Sequence, residues 1–365
     1  MRATAIALAA AVTAAFGCAS APPRAGTDAT TPPVPLAPVV LSQVSGLPIP
    51  PGGGVARPSG APGNLTILSW AGFKGAASWT FDDSLRSQIE HYPDLRATGV
   101  PATFYITTGN TTGPAYDATW IQAANDGSEI GNHTVHHCHA NLTGCGFGAG
   151  APFATLGEEL DQCSAAITQR YPQAAVWTAA SPYGDRGYDA NAPSRFLVNR
   201  GVQPGMIAPN DDTDPYNLPC YAAVRADTAA RFNKVTDAAR AAGKWTIFLI
   251  HAITPTSENG YAPVAIGEIT GGMAYGRGLR DVWMGTVANV AAYWRAQKLL
   301  SGIAPATSGT TTTWTWTLPP QFPRGKYLRV KVDGGTLAQG GRPLPWDDHG
   351  YYEVALDAGL LTLAP

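Results

Sequence analysis

Between residues 76 and 297 the chain alternates strand-length apolar runs with stretches of helical apolar spacing, and this alternation restricts the fold more than any other feature. Residues 76–81, 102–107, 129–133, 175–180, 203–208, 221–225 and 245–250 read as strands, being short, apolar and rich in β-branched or aromatic side chains. Residues 84–97, 118–125, 155–170, 194–200, 228–242 and 282–297 read as helices. The clearest of them carries Leu156, Leu160, Cys163 and Ile167 on one face. Gly243 supplies a helix stop after Ala242. Strands alternating with helices make an α/β protein with a mainly parallel sheet, open or closed into a barrel. Functional groups of such folds gather at the C-terminal ends of the strands.

The pattern changes after Leu300. Residues 310–318, 327–332, 351–356 and 360–363 are β-like and joined by Gly/Pro turns, so a small C-terminal β-sandwich-like appendage is expected over residues 301–365. Its Trp314, Trp316 and Trp346 either pack against the neighbouring domain or offer faces to carbohydrate. At the other end, Arg2, an apolar run to Phe16 and Gly17-Cys18 read as an export signal over residues 1–18, and the run is too short to span a bilayer. The small residue before Cys18 resembles a bacterial lipoprotein cleavage site, which makes a lipid anchor at Cys18 the expected membrane link; simple secretion is the alternative. Residues 19–63, rich in Pro, Ala, Gly and Thr, read as a linker, leaving residues 64–300 for the main domain.

The 24 basic and 26 acidic side chains give a formal charge of -2, and no basic cluster provides the footprint that nucleic acid or an anionic membrane surface requires. Cys138, Cys145, Cys163 and Cys220 remain after Cys18, and an even number in an exported chain favours two disulfides. A zinc-thiolate site is the alternative, since two of these cysteines lie beside histidines. The sequence is silent on oligomeric state.

Chemistry concentrates in two short stretches. Asp82 and Asp83 end the first strand, where a carboxylate pair serves either a solvated turn or a site. His133 and His137 stand four apart, so on a helical turn both rings face one way. One carboxylate and two imidazoles suit a divalent metal with positions left for water and substrate. His136 and His139 flank the pair and are expected to point away.

Thr80-Phe81-Asp82-Asp83 and His133-Thr134-Val135-His136-His137 resemble the first two motifs of the polysaccharide deacetylase family, the NodB-homology carbohydrate esterases. Ser181-Pro182-Tyr183-Gly184 resembles the third and Leu249-Ile250-His251 the fifth, in the same order over residues 70–300. The resemblance implies a distorted, incomplete (β/α) barrel and metal-dependent removal of acetyl groups from an acetylated glycan. It implies that Asp83, His133 and His137 hold the metal, zinc or less often cobalt or nickel, and that Asp82 is the base. His251 would protonate the leaving group, Leu249 would wall the acetyl pocket, the Tyr183 N–H would face the oxyanion and Trp283 would flank the pocket, with a place in the core as its alternative.

Two positions depart from the family. Ala180 stands where an Arg usually orients the base, and Arg225, on the expected strand 221–225, is either the guanidinium that replaces it or an ordinary salt-bridged surface residue. Ser84 replaces a common Gly and is expected to cap the following helix. Two other readings compete with a deacetylase. A glycosidase would need carboxylates about 5–9.5 Å apart across the bond, and it would leave the His pair without a task. A non-catalytic carbohydrate-binding surface protein on a degenerate scaffold is the other.

Overall fold

The computed structural model describes residues 38–110, 113–256, 258 and 260–365. The expected export signal, Cys18 and the first part of the expected linker lie outside these residues. Strand β1 (Leu65–Ile67) precedes a parallel sheet of β2 (Gly75–Asp82), β3 (Thr103–Ile106), β4 (Glu129–Asn132), β5 (Thr178–Ala180), β6 (Val198–Pro204), β7 (Leu218–Ala222) and β8 (Trp245–Ile250). Each pairs with the next, and β8 returns to pair with β2 from Ala76–Trp245 to Phe81–Ile250, so the sheet is barrel-like. After the short parallel pair β9 (Ile253–Thr254) and β10 (Val264–Ala265) comes β11 (Val282–Met284). It shares one edge of β2 with β3: β11 takes Gly75–Ala77 and β3 takes Thr80–Asp82, which distorts the ring.

Helices α1 (Arg86–Glu90), α2 (Tyr92–Ala97), α3 (Pro114–Asn125), α4 (Leu156–Arg170), α5 (Ala229–Ala242), α6 (Ile266–Gly278) and α7 (Val287–Ser301) connect the strands. Side chains alternate across the sheet. Ala77, Trp79 and Phe81 join Phe104, Phe232 and Phe248 in the core outside the ring, with Trp79 stacked on Phe248 at 4.3 Å. The alternate positions face inward, where Trp245 Nε1 donates to Ser78 Oγ at 3.0 Å, and this inner row ends at Asp82. At the N-terminal end of the ring Glu129 accepts from Thr103 Oγ1 at 2.9 Å and from the Ala288 N–H at 2.8 Å, which fastens the start of α7.

Several elements differ from expectation. Residues 194–200 are not a helix: β6 begins at Val198, because Val198-Asn199-Arg200 alternates between ring interior and exterior and Gly201 allows a bulge against β7. Residues 282–297 divide into β11 and α7 at Gly285-Thr286, where the Thr286 hydroxyl caps α7 by accepting from the Asn289 N–H at 3.2 Å. Helix α6 lacks a sequence signal because it is glycine-rich; a Cβ at Gly272 would come within 2.9 Å of the Trp79 ring, so the glycine permits close packing on β2. Cys138 and Cys145 form a disulfide, but Cys163 and Cys220 are separate buried thiols, which burial pushes to about 12 and about 11. The zinc-thiolate alternative therefore loses its ligands.

Two antiparallel sheets complete the fold: β1–β14–β18–β17 and β12–β13–β19–β15–β16, built from β12 (Ala306–Ser308), β13 (Thr311–Thr315), β14 (Tyr327–Val332), β15 (Thr336–Gln339), β16 (Arg342–Pro343), β17 (Trp346–Asp347), β18 (Tyr351–Ala355) and β19 (Leu360–Ala364). Strand β1 belongs here, with Leu65 opposite Val332. The described part of the expected linker also lies along these sheets: the Val55 N–H donates to Asp348 O at 2.8 Å, and Ser42 and Ser45 donate to Glu353, each at 2.6 Å. Trp314 and Trp316 are buried, with Trp316 Nε1 donating to Leu356 O at 2.7 Å, so these two pack rather than present open faces. Among the described residues no helix is long and apolar enough to cross a membrane.

Candidate functional site

The C-terminal ends of β2, β4, β5, β6 and β8 converge on a cluster of buried polar side chains. Asp83 follows β2 with φ 76 and Ser84 follows with φ 54, a left-handed turn that carbon-bearing side chains adopt at a cost. The Ser84 hydroxyl accepts the Thr107 N–H at 2.7 Å and Asn110 Nδ2 donates to Asp83 O at 2.9 Å, so the turn is pinned to the end of β3. Ser84 is thus not the helix cap expected of it. The start of α1 is served instead by Glu258, whose carboxylate accepts the Arg86 and Ser87 N–H groups at 3.0 and 2.9 Å.

His133 and His137 converge without the expected helix. The chain leaves β4 through a turn with Thr134 at φ 65 and His137 at φ 52, closed by the His137 N–H on Thr134 Oγ1 at 2.9 Å. Glu159 on α4 clamps this turn, accepting the Val135 and His136 N–H groups at 3.1 and 2.9 Å and meeting His136 Nδ1 at 2.7 Å. His136 is thereby directed away from the centre, as expected.

Asp83 Oδ1 lies 3.3 Å from His133 Nε2 and 3.3 Å from His137 Nε2. These three atoms lie within 4.8 Å of one another, and Asp83 Oδ1 is buried without a hydrogen-bond partner among the described residues. A buried carboxylate oxygen facing two imidazole nitrogens, one carboxylate and two nitrogen donors in all, is well suited to a cation. His133 Nδ1 bonds Ala180 O at 2.8 Å; the ring donates there, which turns the lone pair of Nε2 toward Asp83. Ala180, at the position where the family resemblance led to an Arg being expected, thus orients His133 through its backbone.

The charges support this arrangement. Burial opposes ionisation of Asp83, but His133 outweighs it and holds the carboxyl at about 2. Burial and then the neighbouring His133 hold His137 at about 4. His133 moves the other way: burial would lower it, but Asp82 and Asp83 together raise it above its ordinary value.

Arg225 does not reach Asp82. Strand β7 ends at Ala222, before the expected position, and Arg225 is exposed in the turn that follows. The guanidinium on Asp82 comes from Arg200 of β6: its Nη2 donates to Asp82 Oδ2, Nη1 donates to Gly201 O at 2.9 Å, and both side chains are buried. The Arg200 guanidinium also lies 5.4 Å from the centre of the Tyr105 ring. Asp82 Oδ1 and Arg200 Nε have no hydrogen-bond partner among the described residues. An isolated arginine in an apolar, β-branched stretch (Phe196-Leu197-Val198-Asn199-Arg200) was the available signal, obscured by reading that stretch as a helix.

His251 follows β8 directly, and its buried Nδ1 has no hydrogen-bond partner among the described residues. Burial lowers its pKa, against the pull of Asp82 and Asp83. Leu249 lies one pleat deeper on the same inward face and is buried. Tyr183, in the turn Pro182–Gly184 after β5, has φ 56; its ring meets His137 at 4.6 Å and stacks on His139 at 3.9 Å, and its hydroxyl donates to Gly144 O at 2.8 Å. Asp185 fixes His139 from behind at 2.9 Å.

Trp283 is not at this end of the ring. It pairs with Ala76, six residues before Asp82 on β2, which separates them by about 20 Å at a strand's rise per residue. There it lines a cavity of about 400 Å³ with Tyr293, Tyr92 and Leu47.

The polysaccharide deacetylase family model matches residues 73–197. No curated protein matches the chain. Solved structures similar to it include the Xyl-CE4 domain of a multidomain xylanase from the hindgut metagenome of Trinervitermes trinervoides, 16% identical over 59% of this chain and 89% of that one, with TM-score 0.39. A family 4 acetyl xylan esterase from Clostridium thermocellum in complex with a cobalt ion is 19% identical, over 59% of this chain and 89% of that one, with TM-score 0.36. A probable polysaccharide deacetylase from Pseudomonas aeruginosa PAO1 is 12% identical, over 63% of this chain and 94% of that one, with TM-score 0.45. With each score this low, the site geometry and the family match carry the functional reading.

Proposed function

We propose that this chain, whose residues 73–197 match the polysaccharide deacetylase family model, is a metal-dependent hydrolase that removes acetyl groups, N- or O-linked, from a glycan. The observation that carries this reading is the convergence of Asp83 Oδ1, His133 Nε2 and His137 Nε2 within 4.8 Å of one another, beside a second carboxylate held by Arg200. Asp83, His133 and His137 would hold the cation, with zinc the first choice for one carboxylate and two imidazoles. Once bound, such a cation supplies positive charge that acidifies water and polarises an acetyl carbonyl.

Asp82 is the base. Arg200 occupies its Oδ2, so the unpaired Oδ1 is the atom free to take a proton from water. His251 gives a proton to the departing oxygen or nitrogen; its lowered pKa makes the imidazolium a stronger acid once it is protonated. Leu249 excludes water beneath the acetyl methyl, and the Tyr183 N–H stabilises negative charge on the carbonyl oxygen as the carbon becomes tetrahedral.

The Cys138–Cys145 disulfide supports export to an oxidising compartment, with Cys18 as lipid anchor or a cleaved signal releasing the chain. We assign residues 301–365, with β1, to a β-sandwich-like appendage that braces the ring. Acetate release from acetylxylan, chitin oligosaccharides and peptidoglycan, with added zinc and again after chelation, tests the function. Zinc-dependent release from at least one glycan is expected; none from any of them, with zinc bound, contradicts the proposal.

A further inference from the structure

One aromatic ring at the rim of the site has no part in the fold or in the chemistry above. Tyr261 is 73% exposed, the most exposed of the large hydrophobic side chains among the described residues. Its ring meets His251 at 4.9 Å with the two planes at 82°. The other rim tyrosine, Tyr183, is already engaged by His139, His137 and Gly144 O.

Described residues on either side of Tyr261 are held by hydrogen bonds. Glu258 grips the Arg86 and Ser87 N–H groups, Ser87 Oγ accepts the Ile253 N–H at 3.2 Å, and Pro255 O meets His91 Nε2 at 2.8 Å. Next to the ring, the Ala252 N–H donates to Tyr261 O at 3.4 Å, and the Val264 N–H donates to Ala252 O at 3.0 Å. A Cβ at Gly260 would come within 3.0 Å of Leu85 Cδ1, so the chain passes closer there than other residues permit. This frame presents the ring to solvent beside His251 rather than folding it inward.

A flat, largely bare aromatic next to the proposed acid offers the surface that the C–H face of a pyranose covers, while the hydroxyl groups stay in water. We propose that Tyr261 is a glycan platform: it stacks on the sugar next to the acetylated unit of a β-linked pyranose chain and so places the acetyl group between Asp82 and His251. This inference rests on the deacetylase reading and adds a chain-binding subsite to it.

The test measures binding separately from turnover. Xylotetraose and a glucosamine tetramer, neither bearing an acetyl group, are titrated calorimetrically into the full chain loaded with zinc. At least one should bind, Tyr261→Ala should weaken it about tenfold, and Tyr261→Phe and Tyr261→Trp should stay within about threefold, since the ring and not the hydroxyl makes the contact. On an acetylated tetramer of that same sugar Tyr261→Ala should raise KM about tenfold, and its loss in kcat/KM should exceed that on 4-nitrophenyl acetate by at least about fivefold. Unchanged affinity in Tyr261→Ala, equal losses on the two substrates, or a wild type that binds neither tetramer overturns the platform. A wild type that binds a tetramer in a Tyr261-dependent way but releases acetate from nothing overturns the deacetylase reading instead and keeps the sugar site.

Discussion

Among the described residues two arginine–carboxylate pairs are fully buried, and they are built in opposite ways. In the antiparallel sheets Arg329 donates to Glu353 at 3.0 Å, to Pro48 O at 2.6 Å and to Ala71 O at 3.0 Å, and it lies 4.1 Å from the centre of the Tyr351 ring. Glu353 also accepts from Ser42 and Ser45. That pair is satisfied, and it fastens residues 42–48 and the turn at Ala71 to the sheets. In the ring, Arg200 and Asp82 hold each other but leave Asp82 Oδ1 and Arg200 Nε without hydrogen-bond partners among the described residues. A buried charge pair costs desolvation in either place, and full hydrogen bonding offsets it only around Arg329. Incomplete satisfaction suits the chemistry proposed for Asp82, whereas full satisfaction suits a structural tie.

Breaking the two pairs should give different outcomes. Arg200→Ala leaves Asp82 buried without its partner and should cost about 3–5 kcal/mol of stability, with acetate release falling about 10²–10³-fold per folded molecule. Arg200→Lys, which keeps the charge but not the fork, should fold better and still turn over slowly. Arg329→Ala should cost a similar about 3–5 kcal/mol in denaturant unfolding, while each folded molecule keeps its turnover within about twofold. Equal losses of specific activity in the two variants would erase the distinction.

A smaller effect separates the members of the metal cluster by pH. His133 donates through Nδ1 to Ala180 O, so a proton gained by this ring sits on Nε2, the atom aimed at the cation. Its pKa is raised, whereas Asp83 and His137 are held at about 2 and about 4 and have lost their protons well below neutrality. Zinc affinity should therefore fall as pH drops below the raised pKa of His133, by about tenfold per unit down to about pH 5, the slope of a single competing proton. A slope of about a hundredfold per unit would mean that two ligands titrate together. The smallest expected effect is that of Arg225→Ala: the side chain is exposed and makes no ion pair with Asp82, so stability should move by less than about 0.5 kcal/mol and turnover should not change.

The sequence made the ring's outline legible where pattern and packing agree. Residues 245–250 are an apolar run of strand length and form β8 as read, and Thr228 and Gly243 bound α5, the first capping through its hydroxyl and the second at φ 66. The gathering of Asp83, His133 and His137 was legible, but not the turn that joins the histidines, since spacing alone cannot distinguish a helix from a loop with left-handed residues. Arg200 was hidden because its partner lies 118 positions away and its strand is bulged. Trp283 was misplaced for a related reason. Parallel pairing puts it at the start of β2, and no local signal sets which end of a neighbouring strand a residue meets.

The division of labour between adjacent carboxylates is the central claim, and metal content measured beside acetate release in Asp82→Asn and Asp83→Ala tests it most directly. Asp82→Asn should keep about one zinc per chain while turnover falls about 10²–10⁴-fold, and Asp83→Ala should lose both metal and turnover. Equal metal loss in the two variants, or full turnover in Asp82→Asn, would contradict it.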